Sequence, residues 1–503
     1  MSVKYTVDIN EQGREFPHYW ELSVGSCHAA TILRADVQAQ IRKAHKDIGF
    51  KYLRFHGLLD DDMSVVIAGM IPGQPAQISF FNIDCIFDFL LDAGMKPFVE
   101  LGFMPEAYAS TPHTTFHYKG FSSMPRNDDD WINLITALTQ HLIDRYGAKE
   151  VRSWFFEVWN EPNLAFFFDG TQEEYFHLYE MTANAIKSVD AKLKVGGPAT
   201  SNNAWIPEFR NFCEQNGVPY DFITTHHYPS DDPLSTAGMN GPGSKGSDYS
   251  QLDLTKITPE QMQKMLDAFF NKENKNPRDI LSQLTKKAKA EAGEKPLYYT
   301  EWNVGRYDTG YAAAGVLATL AYNEGLVEGY SYWCISDIFE EMGLHGLPFN
   351  NEFGLVNVYG TPKPVYRVFE ALHNAGNRRL SVTGNANAQE ENDYRTAEVL
   401  ALADDDTVTL FAYNHDIEER EINDVEMEIM INGDYKRIEK AVINKENTNP
   451  LGCWKELGSP VYPDKAELAQ INAASELKWI IAKPEELKFH MEKESVTIFR
   501  LTK

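Results

Sequence analysis

The sequence predicts an α/β protein: a (β/α)8 TIM barrel followed by a C-terminal all-β, sandwich-like accessory domain. Three observations predict it. Eight apolar runs of strand length recur between Glu21 and Ile335, segments of helical apolar spacing fall between them, and past about Asn374 the texture changes to short strand-like runs separated by polar turns. Eightfold alternation of this kind is what a barrel requires. An open doubly wound sheet gives the same local signal, but the strand count and the crowding of polar residues at the C-terminal ends of strands favour the barrel.

In chain order, Val3 to Asp8 alternates apolar and polar residues, the pattern of a half-buried strand, and is expected to join the C-terminal module. The barrel strands are then expected at Glu21 to Ser26, Tyr52 to Gly57, Pro97 to Phe103, Trp154 to Trp159, Lys194 to Pro198, Phe222 to Tyr228, Leu297 to Trp302 and Gly329 to Ile335. Several are nearly continuous hydrophobic stretches, as parallel strands covered on both faces should be. Helical spacing marks Asp36 to Ile48, Ile83 to Ala93, Asp130 to Tyr146, Gln172 to Val189, Ile206 to Asn216, Pro259 to Ala292 and Tyr311 to Glu324. In Asp130 to Tyr146 the residues Trp131, Ile132, Leu134, Ile135, Leu138, Leu142 and Ile143 form the apolar face. Met239 to Ser250 and Asn271 to Pro277, rich in Gly, Ser, Asn and Lys, look like loop insertions between strands six and seven. The C-terminal strands are expected at Glu398 to Ala403, Val408 to Tyr413, Val425 to Ile431, Arg437 to Ile443, Trp479 to Ala482 and Val496 to Leu501. The expected division is residues 15–365 for the catalytic barrel, with 1–14 and 366–503 forming the β-sandwich domain.

Composition narrows the function. The 503 residues are 43% hydrophobic and 24% charged, a globular balance that argues against disorder. A formal net charge of −26 would repel nucleic-acid phosphates and anionic lipid, so neither nucleic acid nor membrane is an expected partner. No segment approaches the roughly 18 apolar residues of a membrane span. Cys27, Cys85, Cys213, Cys334 and Cys453 are odd in number, widely spaced and without a C-x-x-C pair, which fits a reducing compartment better than a disulfide framework. Met1 to Asn10 lacks a secretory pattern, so a cytoplasmic location is expected. No G-x-G-x-x-G or P-loop pattern is present, and no cofactor is expected.

The chemistry concentrates in Trp154-Phe-Phe-Glu-Val-Trp-Asn-Glu-Pro162, an apolar strand that ends in Asn160, Glu161 and Pro162. A carboxyl group emerging beside aromatic side chains is partly desolvated, which raises its pKa and equips it to donate a proton near neutral pH. The alternative is a capping or loop-tip glutamate. Leu297-Tyr-Tyr-Thr-Glu-Trp302 delivers Glu301 at the equivalent place on strand seven, where the two acids can face each other across a barrel mouth, as the paired carboxyl groups of a glycosidase must. Arg54, inside an apolar strand, calls for a carboxylate partner, and Glu301 is the natural candidate; a structural salt bridge inside the barrel is the other reading.

With Lys51-Tyr-Leu-Arg-Phe-His-Gly57, Asp60-Asp61-Asp62-Met63, Thr115-Phe-His-Tyr-Lys-Gly120 and Tyr332-Trp-Cys-Ile-Ser-Asp-Ile-Phe-Glu-Glu341, these segments resemble the retaining 4/7 barrel glycosidases, and specifically glycoside hydrolase family 39 with its bacterial β-xylosidases. The resemblance covers most of the chain. It implies Glu161 as general acid/base and Glu301 as nucleophile, with Asn160 on the sugar 2-hydroxyl, His226 and Tyr228 as the family's His-x-Tyr pair, and Arg54 supporting the nucleophile. It also implies His56 and Phe116 against the sugar, Trp333 as the floor of its pocket, and Glu340, Glu341 or both on its hydroxyls. Phe166, Phe167 and Phe168 are expected to pack beneath a loop rather than line the entrance. The implied activity is retaining exo-hydrolysis of terminal β-1,4-linked xylose from xylo-oligosaccharides, in a homotetramer. The alternatives are an α-L-arabinosyl or uronic substrate, a sugar-binding protein on a degenerate scaffold, and a metal-dependent barrel hydrolase built on the adjacent His226 and His227.

Overall fold

A computed structural model of the chain describes residues 2–69, 76–229, 231, 276–344, 346–384, 396–418 and 420–503. Eight parallel strands close into a barrel in sequential order: β1 (Ser23–His28), β2 (Tyr52–His56), β3 (Lys96–Leu101), β4 (Phe155–Val158), β5 (Lys194–Thr200), β6 (Phe222–His227), β7 (Leu297–Trp302) and β8 (Gly329–Tyr332). All eight expected strands are present. The first starts two residues later than the sequence suggests because Tyr19–Glu21 winds into a single 3-10 turn.

The surrounding helices are α1 (Ala35–Ile48), α2 (Phe81–Asp92), α3 (Asp128–Tyr146), α4 (Gln172–Val189), α5 (Ile206–Asn216), α6 (Ile280–Ala292), α7 (Gly310–Asn323) and α8 (Pro364–His373). Local signals set their ends. Asn127 caps α3 by accepting from the Asp129 amide, Thr171 and Glu174 form a reciprocal capping box at the start of α4, and Gly49 ends α1 in the left-handed region at φ +82°. The expected helix from Pro259 is described only from Ile280, and the proposed insertion at Met239 to Ser250 lies outside the described residues, as does that at Asn271 to Pro277 except for its last two. The short α8, not among the helices expected above, packs between α7 and α1 and completes the ring.

The β-rich module is a two-sheet sandwich. One sheet has the order Val382–Gly384, Ser2–Asp8, Val425–Asn432, Lys488–Met491. The other has seven strands, with Ala397–Ala403, Thr407–Asn414, Ser495–Thr502 and Arg437–Ile443 at its centre. Ser2–Asp8 runs parallel to Val425–Asn432, so the N-terminal strand does join the C-terminal module. Strand alternation separates two cores: Val399, Ala401, Val408, Leu410 and Leu501 face Val3, Tyr5, Val7 and Met427 inside the sandwich, while Leu400, Leu402, Phe411, Val496 and Ile498 pack toward the barrel. This second face explains α7, whose sequence GYAAAGVLATLAYN is apolar all round: the helix packs against α6 and α8 and against the seven-stranded sheet. The all-β expectation for the tail needs one correction. Pro450–Glu456 and Lys465–Ala474 form two helices, with Phe349, Trp454 and Ile471 as their small core.

Candidate active site

Period-two alternation builds the barrel interior in layers. Tyr52, Phe98, Phe155, Phe222 and Tyr298, one from each of β2, β3, β4, β6 and β7, form an aromatic floor. Two residues further along the same strands come Arg54, Glu100, Glu157, Thr224 and Thr300, all buried. The next step reaches the mouth, with His56 and His226. The pairing register shifts between Thr225 and His226 and between Tyr299 and Trp302, which lets the consecutive residues Thr300 and Glu301 both contribute to the site.

Arg54 is the hub. Its Nε donates to Glu157 Oε2 at 2.8 Å, Nη1 to Glu301 Oε1 at 2.5 Å and Nη2 to Asn160 Oδ1 at 2.9 Å, and Nη2 also lies 2.9 Å from Glu100 Oε2. The guanidinium has no acceptor, so it fixes the orientation of the Asn160 amide, whose NH2 is left to other partners. One cation among three buried carboxyl groups is an arrangement that cannot lose its charge cheaply. Replacing Arg54 with Met is expected to destabilise the fold by about 3–5 kcal/mol, read as a fall in the urea midpoint.

Glu161 leaves the end of β4 through two residues in the left-handed region, Trp159 at φ +71° and Glu161 itself at φ +43°. Such non-glycine conformations cost about 1–3 kcal/mol each. Surrounding contacts hold them: the Trp159 indole donates to the Phe167 carbonyl at 3.0 Å, and the Glu161 amide donates to the Ala199 carbonyl at 2.8 Å. Burial pushes the Glu161 carboxyl up to about 7, against the lowering influence of Arg54 and a hydrogen bond from Ser201, with Glu100 adding a smaller upward push.

Glu301 is engaged on both oxygens, by Arg54 on Oε1 and by the Tyr228 hydroxyl on Oε2 at 2.6 Å. An oxygen of Glu161, an oxygen of Glu301 and a ring nitrogen of His226 lie within 4.8 Å of one another. His226 approaches Glu161 Oε1 at 3.0 Å through Nδ1 and the Thr300 hydroxyl at 3.1 Å through Nε2. Burial lowers the imidazole to about 4, so it is neutral over the physiological range. His226 is fully buried and faces both acids, its Nδ1 also lying 3.8 Å from Glu301 Oε1.

His56 is likewise held neutral by burial and by Arg54, which bring it down to about 3; its Nδ1 meets Glu100 Oε2 at 2.7 Å. Its Nε2 faces Glu301 at 3.5 Å and Glu341 at 3.8 Å. Trp333 stands beside it with ring centroids 4.8 Å apart, close enough to Gly25 that a Cβ there would come within 2.3 Å of the indole. Phe116 packs on the other side of His56 at 6.5 Å. The two adjacent acids divide: Glu341 turns into the cluster, where burial and the charges of Glu301 and Glu161 drive its pKa well up, while Glu340 turns away to within 3.7 Å of Arg34. Of the three phenylalanines, Phe168 is buried against Trp159 and Tyr175 as expected, whereas Phe166 is 42% exposed and meets Phe116 edge-on at the mouth.

Three residues of the site are not singled out by the sequence reasoning above. Glu100 and Glu157 carry the signal that marks Arg54, a charge inside an apolar strand; Thr300, a good strand former, carries none. The adjacent histidines of the metal alternative do not converge on one site. Adjacent strand residues point to opposite faces, so His227 turns away from the mouth to the Tyr330 hydroxyl at 2.5 Å and packs on Tyr299, and Arg54 already supplies the positive charge between the carboxylates.

A (β/α)8 barrel with paired carboxyl groups at the ends of its fourth and seventh strands defines a barrel glycoside hydrolase. Residues 3–277 and 263–487 match the profile of Glycosyl hydrolases family 39, and the chain belongs to that family. It is 40% identical to a β-xylosidase of Caldicellulosiruptor saccharolyticus over 97% of this chain and 96% of that one. To a β-xylosidase of Geobacillus stearothermophilus it is 33% identical, over 93% and 88%. Among solved structures, a monomeric β-xylosidase from Caulobacter crescentus CB15 superposes with a TM-score of 0.79 at 28% identity, covering 99% of both chains.

Proposed function

We propose that the protein is a retaining, exo-acting β-xylosidase that removes terminal β-1,4-linked xylose from xylo-oligosaccharides by double displacement. The observation that carries this reading is the closeness of the two acids. Nearest oxygens within 4.8 Å support the roughly 5–5.5 Å carboxyl spacing of direct attack over the span of about 6.5–9.5 Å across which inverting enzymes seat a water. Glu301, oriented by Arg54 and Tyr228, attacks the anomeric carbon while Glu161 gives its proton to the departing oxygen. Glu161 then takes a proton from water, and the hydroxide releases the sugar from Glu301. The Asn160 amide is the donor for the sugar 2-hydroxyl, and His56, Trp333, Phe116 and Glu341 shape the pocket.

The names of the long relatives support xylose, and so does the charge of the pocket. A uronate would meet Glu341, Glu301 and Glu161, while Arg54 is already bound to carboxyl groups. Proton NMR of a fresh reaction with an aryl β-xyloside tests the proposal: β-xylose should appear first and mutarotate afterwards, with the matched aryl α-L-arabinoside cleaved more slowly. An initial α-anomer would remove the retaining mechanism. The same reading has the enzyme working in the cytoplasm, which its five unpaired cysteines suit. A tetramer belongs to it as well, and sedimentation decides between one chain and four.

A further inference from the structure

The hydrogen bonds around His226 place a proton on its Nε2. Glu157 Oε2 accepts from Arg54 Nε, and its Oε1 lies 2.8 Å from the Thr300 hydroxyl. A carboxylate paired with a guanidinium is an acceptor only, so Thr300 spends its single proton on Glu157. The hydroxyl oxygen can then only accept from His226 Nε2 at 3.1 Å, which places the imidazole N–H there. A neutral ring with its proton on Nε2 has a bare lone pair on Nδ1, and that lone pair faces Glu161 Oε1 at 3.0 Å.

We propose that Thr300 and Glu157 are positioning residues that fix the tautomer of His226, and that the lone pair so presented on Nδ1 keeps the proton on Glu161 until the leaving group takes it. The inference deepens the reading of Glu161 as the acid and rests on it. The direction of the His226 contact decides its effect, since a donor at Nδ1 would favour the ionised carboxyl group, whereas an acceptor favours the protonated one. The other charged or titratable groups around Glu161 and His226 are Arg54 and His56 on β2, Glu100 on β3, His227 on β6, Tyr228 and Asp231 after it, Glu301 on β7 and Glu341 after β8. In the other tautomer, the donor at Nδ1 would act with Arg54 and Ser201 to favour the ionised acid.

Thr300→Val keeps the shape and removes the acceptor, which frees the ring to place its proton on Nδ1 and donate to Glu161. The basic limb of kcat/KM for an aryl xyloside with a poor leaving group should then fall by about one pH unit. Thr300→Ser, which keeps the hydroxyl, should leave the limb where it is. Neutron diffraction from the deuterated wild-type protein tests the same point without substitution: deuterium is expected on Nε2 of His226 and on the Glu161 carboxyl group. Deuterium on Nδ1 beside a bare Glu161, or a Thr300→Val limb that does not move, overturns the inference. Failure to cleave xylosides would instead remove the functional reading, and the neutron map would remain decisive for the tautomer.

Discussion

Replacing Glu301 with Ala is expected to abolish turnover of natural xylo-oligosaccharides, with kcat down by roughly 10⁴- to 10⁶-fold, the scale at which enzymes lose a covalent nucleophile. The loss has two parts. The attacking oxygen is gone, and Arg54 and Tyr228 lose the acceptor that each engages. The space vacated on that face admits a small anion. Azide with an activated β-xyloside should therefore attack directly and give the α-xylosyl azide, while the Arg54 contacts to Glu157 and Glu100 keep the barrel folded. Wild-type rates in this variant would falsify the assignment of the nucleophile.

Replacing Glu161 with Ala should have an effect that depends on the leaving group. With an alkyl or sugar aglycone, loss of the general acid should cost about 10²- to 10⁴-fold in kcat/KM. With a dinitrophenolate leaving group the first step needs little protonation, so the covalent intermediate should accumulate and its hydrolysis should become limiting. Azide needs no base, so it should accelerate that second step and yield the β-xylosyl azide. The wild-type pH profile follows from the same residue. An acid whose pKa is raised to about 7 by burial is competent below that pH and lost above it, so kcat/KM should fall as the pH rises through about 7. Glu161→Ala should erase that limb, and a limb that survived the substitution would assign the acid elsewhere.

The barrel and both carboxyl groups are legible in the sequence because each leaves a pattern that a one-dimensional reading detects. Strands of a parallel barrel are continuous apolar runs, and an acid beside proline at the end of one, as at Glu161, interrupts the run visibly. Arg54 stands out by its incongruity inside a strand. Glu100 and Glu157 are equally incongruous, but attention to strand ends passes over charges lying one layer deeper in the barrel. The division between Glu340 and Glu341 is not legible, because neighbouring residues in an irregular loop have no fixed period to separate inward from outward. The hydrogen-bond partners of His226 are not legible for a related reason: sequence gives the face of a strand, whereas the partner depends on the register shift between β6 and β7. The helices at Pro450–Glu456 and Lys465–Ala474 carry only Trp454 and Ile471 as buried apolar anchors, too few for a helical period to stand out.

The parallel pairing of Ser2–Asp8 with Val425–Asn432 has a consequence for biosynthesis. This strand is translated about 420 residues ahead of its mate, a wait of roughly 20–80 s at ordinary elongation speeds. Until Val382–Gly384 and the strands after it emerge, Val3, Tyr5 and Val7 have no sandwich partner to cover them, while the barrel can assemble behind them. The nascent chain thus holds this apolar stripe uncovered until the sandwich strands have been made, an interval in which a chaperone that shields extended hydrophobic peptides would suppress misassembly.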